Sequence, residues 1–115
     1  YPVVTMEGDY AHKRSRRGLL GEWGKYSDRK RKALSIERNI PQDCPPVFLV
    51  NCLDDPVVDW QNSVILDESL TVAGIPHEYC QYETGRHGFG VSDVYGSKEC
   101  RKWKYEFLRW LGELK

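Results

Sequence analysis

The clearest pattern along the chain is a nearly continuous apolar run, Val47-Phe48-Leu49-Val50-Asn51-Cys52-Leu53, which follows Pro45-Pro46 and stops at Asp54-Asp55-Pro56. A strand buried on both faces of a parallel sheet reads this way, because neither side of its pleat meets water. Beyond it, Asp59 is placed to N-cap a helix running through Ala73, with Val64, Leu66 or Asp67, Leu70 and Ala73 approximating helical spacing and Gly74 and Pro76 supplying the stop. His77-Glu78-Tyr79-Cys80-Gln81-Tyr82 then alternates and is rich in strand formers, and Thr84-Gly85 ends it. Strand, helix and strand form one βαβ unit. From Ser97, a second N-cap candidate, Trp103, Phe107, Trp110, Leu111 and Leu114 recur at helical offsets, which predicts an amphipathic helix laying an aromatic stripe on the sheet.

Upstream the pattern weakens. Residues 1–5 are apolar enough to predict a third strand, whereas residues 8–42 are polar and in places strongly basic, with weak periodicity between Ser27 and Ile40. Loops with one or two short helices are expected there. The expected architecture is α/β, a three-layer α/β/α arrangement of about three parallel strands with helices on both faces, in a single partial domain spanning residues 1–115.

At 115 residues the chain can bury one core. Its 40% apolar and 30% charged residues are those of an ordinary globular protein, and 17 basic against 17 acidic side chains give no global steering toward nucleic acid or anionic lipid. The basic runs Lys13-Arg14-Ser15-Arg16-Arg17 and Arg29-Lys30-Arg31-Lys32 are therefore read as solvated surface, since no aromatic-rich RNA motif accompanies them. No stretch approaches the roughly 18 consecutive apolar residues of a membrane span. The start, Tyr1-Pro-Val-Val-Thr, lacks the features of a signal peptide and also an initiator Met, which reads as a trimmed or excised segment. Cys44, Cys52, Cys80 and Cys100 include no Cys-x-x-Cys pair. Cys52 and Cys80 fall in strand-like runs where a free thiol packs well, so reduced core residues are expected, although an even count would also permit disulfides. His12 and His77 offer no paired metal ligands, and neither metal nor cofactor is expected.

Two loops carry candidate chemistry. Open α/β sheets place functional groups just past the C-terminal ends of parallel strands, and Asp54 holds that position after the first strand. The loop after the next strand is Gly85-Arg86-His87-Gly88-Phe89-Gly90, whose glycines let the backbone bring an imidazole close to its neighbours. If the strands are adjacent, His87 and Asp54 meet. A carboxylate on one ring nitrogen would fix the tautomer and leave the other nitrogen as a general base. Taken singly, Asp-Asp-Pro is a turn device and a His among glycines a loop residue. Taken together, in the order acid then base after successive strands, they favour catalysis.

Tyr1-Pro-Val-Val-Thr-Met, His12-Lys13, Gly18-Leu19-Leu20-Gly21-Glu22, Leu34-Ser35-Ile36-Glu37-Arg38 and Pro45-Pro46-Val47-Phe48-Leu49-Val50 resemble the C-terminal half of α/β-hydrolases of the acetyl esterase/lipase type. The resemblance continues through Asp54-Asp55-x-Val57-Val58, Asn62-Ser63, Ala73-Gly74-Ile75-Pro76 and Gly85-x-His87-Gly88-Phe89-Gly90, nearly the whole chain. It implies a carboxylic-ester hydrolase acting on short-acyl or acetyl esters, small or carbohydrate-borne, with Asp54 as triad acid, His87 as triad base and Asp55 as a structural neighbour. Two departures stand out: Asp59 replaces a common Pro, one helix-start residue for another, and Arg86 replaces a common Gly beside the base.

The third departure is an absence. Such enzymes hold their nucleophile in a Gly-x-Ser-x-Gly elbow, and no such run occurs here. Ser92, in Gly90-Val91-Ser92-Asp93-Val94, follows the histidine loop instead of a strand and lacks the second Gly. The chain is expected to supply acid and base only, and to be inactive alone. A non-catalytic interaction module is the alternative. In either case a cut sheet would expose an edge, so self-association or pairing with an N-terminal half is expected.

Overall fold

Val47–Cys52 (β1) and His77–Tyr82 (β2) pair in parallel, in a register running from Val47 opposite His77 to Cys52 opposite Tyr82. The computed structural model describes residues 1–114. Both strands match the expected segments, and the helix between them, α3 here, spans Gln61–Ala73. Earlier in the chain lie α1 (Lys13–Gly24) and α2 (Asp28–Ala33), followed by a 3-10 turn at Ile36–Arg38, and the last helix is α4 (Trp103–Glu113). α3 ends at Gly74 in the left-handed conformation, φ 72°. It begins one residue later than its sequence signal: Trp60 is the N-cap, while Asp59 Oδ1 accepts from the Gln61 N–H at 2.8 Å. Ser97 likewise acts ahead of α4, its Oγ accepting from Cys100 N at 3.0 Å at the head of a 3-10 turn, Cys100–Lys102.

The alternation of β1 sorts the layers. Leu49 faces a core of Val4, Leu66, Leu70 and Ile75, with Val47 and Tyr79 against it, so α3 covers this side. On the opposite side Phe48 meets Phe107 and Trp110 of α4 at ring-centroid distances of 5.2 and 5.4 Å. Cys52, Phe89 and Cys100 form a second core there, flanked by Val50, Tyr82 and Trp103. Helices thus cover both faces and the aromatic stripe lies where its spacing put it. Arg109 ties α4 to β2 through Glu78 at 2.8 Å and also meets Glu106 and Glu113.

The expected third strand is not formed; among the described residues the sheet has two strands. Residues 1–5 run beside β1, but their backbone is satisfied differently. The Tyr1 ammonium donates to Val50 O at 2.5 Å, Pro2 has no N–H, and the Val4 and Thr5 N–H groups both donate to Asn62 Oδ1 at 3.1 Å. Asn62 is fully buried, and its Nδ2 donates to Tyr10 O and Asp59 O, so one amide replaces a ladder. Ser35, also fully buried, takes Met6 N at 2.8 Å and donates to Arg31 O at 2.6 Å, pinning the same segment from the other side.

Candidate active site

Because β1 and β2 are parallel and in register, their following loops emerge at one end of the sheet, and Leu53 N continues the ladder to Tyr82 O at 2.8 Å. Asp54 and Asp55 follow β1, and the Gly85–Gly90 loop follows β2. The two loops meet, as the sequence predicts, but through a different pair of residues.

His87 Nδ1 lies 2.8 Å from Oδ2 of Asp55, not of Asp54. The Asp55 side chain is only 1% exposed, and its other oxygen accepts from Val57 N at 2.8 Å and Val58 N at 2.9 Å. This is an Asx-type turn closed over Pro56: the carboxylate that starts the turn is drawn inward, and one oxygen remains for the imidazole. Asp54 points to the backbone of the histidine loop instead, accepting from Gly85 N at 3.3 Å and Arg86 N at 2.7 Å. The expected Asp54–His87 contact is therefore replaced by Asp55–His87. Asp54 shapes the loop that carries His87. The sequence signal that separates the two is the Asp-Pro-Val-Val run, which lets Asp55, but not Asp54, start this turn.

Arg86 is the one residue other than glycine with positive φ among those described, at 61°. A Cβ is strained there, by about 1–2 kcal/mol, which gives a physical reason why Gly suits this position. The Asp54 carboxylate on Arg86 N holds the conformation in place. Gly85, at φ 147°, admits no side chain at all: an added Cβ would lie 2.6 Å from the sulfurs of both Cys52 and Cys100. The histidine loop is thus seated on the second core. The Tyr1 ring lies 4.5 Å from the His87 ring and 5.0 Å from Phe89, and the imidazole keeps 28% side-chain exposure. Among the described residues no group hydrogen-bonds Nε2 of His87, and the loop lines an open cleft of about 380 Å³ with Asp54, Tyr95 and Ser97.

The other candidates take structural parts. Ser92 Oγ accepts from Val94 N and Tyr95 N at 3.0 and 2.9 Å, closing its own turn. His12 caps α1 through Ser15, and His77 bridges Ile75 O and Asp67 Oδ1 at the far end of the sheet. The four cysteines are free thiols, Cys52 and Cys100 fully buried. Burial pushes the Cys52 thiol up to about 12, with Cys100 and Asp54 adding to the effect. Among the described residues no group of three or more His, Cys, Asp or Glu side chains could hold a metal, and no helix is long and apolar enough to cross a membrane.

Comparison with known proteins extends the geometry. No protein-family model matches the chain. The acetyl ester-xyloside bifunctional hydrolase of Caldicellulosiruptor lactoaceticus superposes on 99% of the chain with TM-score 0.87 and 30% identity, the chain covering 40% of that structure. A carboxylesterase of Lactobacillus plantarum superposes on 98% with TM-score 0.75 and 20% identity, covering 42% of it. In sequence, endo-1,4-beta-xylanase B of Butyrivibrio fibrisolvens is 32% identical over 93 residues, 81% of the chain but 14% of that protein. The chain thus spans well under half of each of these relatives.

Proposed function

We infer that the chain is part of an α/β-hydrolase of the acetyl esterase/lipase type, from its likeness to a solved acetyl ester hydrolase across nearly its whole length. From that premise we propose that it serves carboxylic-ester hydrolysis and supplies two members of a Ser-His-Asp triad, His87 as base and Asp55 as acid. The observation that carries the reading is the buried Asp55 carboxylate on Nδ1 of a partly exposed imidazole.

In this reading Asp55 keeps the proton on Nδ1 and stabilises the imidazolium that forms when Nε2 takes a proton from a serine hydroxyl. The serine oxygen attacks the ester carbonyl, the alcohol leaves with the proton returned by Nε2, and water releases the acid from the acyl-enzyme by the same route. The serine and the oxyanion-hole donors lie outside these residues. Asp54 is a positioning residue, through Gly85 and Arg86. The substrate is a short-acyl ester, with a carbohydrate-borne acetyl group favoured by the names of the Caldicellulosiruptor and Butyrivibrio proteins.

Hydrolysis of a short-chain aryl ester by the full native protein, beside its His87→Ala variant, tests the reading. Activity that depends on His87 and is blocked by a serine-directed phosphonate is expected. Activity undiminished in His87→Ala would overturn it.

Among the described residues the edge of β1 away from β2 is open apart from Val50 O, and Phe48, Val50, Trp103 and Phe107 line an apolar cleft with Tyr1. We propose that this edge and cleft seat the rest of the hydrolase sheet, or a second copy when the chain is alone. Sedimentation of the isolated chain should show concentration-dependent association; a strict, well-folded monomer at high concentration would count against it.

A further inference from the structure

α1 and α2 enclose a cleft of about 510 Å³ whose walls are cationic: Lys13, Arg14, Arg16 and Arg17 from α1, with Lys25 and Arg31 opposite and Tyr26 at its side. Some of this charge is spent. Lys25 pairs with Glu22 at 2.8 Å, and Arg31 lies 3.9 Å from Asp28 while its Nε donates to Lys25 O. Arg16 reaches only a backbone carbonyl, Gly8 O, at 3.5 Å. Among the described residues no carboxylate lies within ion-pair distance of Lys13, Arg14, Arg16 or Arg17. A chain with 17 basic and 17 acidic side chains thus gathers an excess of positive charge in one concavity, with Glu22 and Asp28 near its rim. Among the described residues no acidic side chain lines it.

The place of this cleft matters as much as its charge. Lys13 and Arg14 also line a neighbouring cleft together with Tyr10 and Pro56, and its acidic members are Asp9, Asp59 and Asp55, the carboxylate that holds His87. The kink of α1 at Gly21, φ 82°, and the capping of α2 by Ser27 bring the second half of this basic wall over the first. We infer that the α1–α2 cleft binds the carboxylates of an acidic oligosaccharide, a sugar chain bearing uronate groups, whose ester-bearing part extends toward the end of the sheet that carries Asp55 and His87. Guanidinium groups suit carboxylates because their paired N–H donors match the two oxygens. A single aromatic ring, Tyr26, gives no run of stacking platforms for nucleic-acid bases, which sets a sugar ahead of a polynucleotide.

The inference rests on the ester-hydrolase reading for its choice of a sugar, but its test requires no catalysis. In the full native protein, binding of an oligogalacturonate of about five sugars would be measured by calorimetry beside a neutral oligosaccharide of equal length and a single-stranded oligonucleotide, with the Arg14→Glu/Arg17→Glu variant as control. The expected result is salt-sensitive binding of the uronate, none of the neutral sugar, and at least a tenfold loss in the variant while circular dichroism and melting temperature are kept. Should the variant not fold, Arg17→Gln alone is expected to weaken binding severalfold. No uronate binding, binding indifferent to either variant, or tighter binding of the oligonucleotide overturns the inference. No uronate binding by the native protein, with its His87-dependent hydrolysis intact, would sink this inference alone, and uronate binding without His87-dependent hydrolysis would sink only the ester-hydrolase reading.

Discussion

Asp55 Oδ2 accepts from Nδ1 of His87 at 2.8 Å, while the carboxylate one residue earlier is occupied with the backbone of the loop that carries that histidine. Two adjacent aspartates therefore do different work, and they can be told apart. In the full native protein Asp55→Asn is expected to lower kcat by about 10³–10⁴-fold, because the amide can present an N–H and favour the wrong tautomer. Asp54→Asn should cost far less in kcat and instead speed hydrogen exchange at the Gly85 and Arg86 amides. The reverse ranking of the two variants in kcat would return the acid's role to Asp54.

Arg86 sits at φ 61°, where a side chain is strained. Arg86→Gly is expected to stabilise the chain by about 0.5–1 kcal/mol in urea unfolding, the relieved strain exceeding the added freedom of the unfolded glycine. A loss of stability would mean that the guanidinium makes a compensating contact.

Gly85→Ala should act in the opposite direction, since its Cβ would meet two buried sulfurs at 2.6 Å. A loss of about 2–3 kcal/mol is expected, the size typical of overpacking. Combining it with Cys100→Ala should recover part of the loss. Losses that simply add would show that the clash is not with that sulfur.

Asn62 serves four backbone groups from within the core. Asn62→Ala leaves them without partners, and a cost of at least about 2 kcal/mol is expected, seen as a lower urea midpoint with faster exchange at Val4 and Thr5. Unchanged exchange at those two amides would remove Asn62 as their anchor.

Alkaline conditions should destabilise the fold in a defined window. Burial raises Cys52 from 9.0 to about 12, and burial raises Tyr79 from 10.0 to about 12. Below pH 9 both groups are protonated whether the chain is folded or not, so their contribution is constant. Between pH 9 and 12 the unfolded chain releases these protons first, so stability falls as pH rises, with a slope that steepens once the tyrosine joins. Urea midpoints measured from pH 8 to 11 check this, and Cys52→Ala should shorten the falling limb. A midpoint flat to pH 11 would contradict it.

Much of this protein is written locally. The apolar run of β1, the alternation of β2, the stop at Gly74 and the aromatic offsets of α4 each follow from one segment's own periodicity, and the parallel pairing follows because a helix separates the strands. The chemistry-bearing loops were legible for the same reason: parallel strands deliver their following loops to one end. The segment 1–5 was not, because its pattern suits a strand while its hydrogen bonds go to Asn62, nearly sixty residues away.

Sequence alone determined that an acid and a histidine would come together past the ends of adjacent strands. Which acid was decided by tertiary structure. Asp54 and Asp55 are identical in chemistry and one residue apart, so no propensity distinguishes their reach toward His87. The turn over Pro56 aims one carboxylate into the interior, and the docking of the Gly85–Gly90 loop onto Cys52 and Cys100 brings the imidazole to meet it. A hydrogen bond is a matter of direction and tenths of an ångström, and those are set by packing across the fold rather than by the order of residues along it.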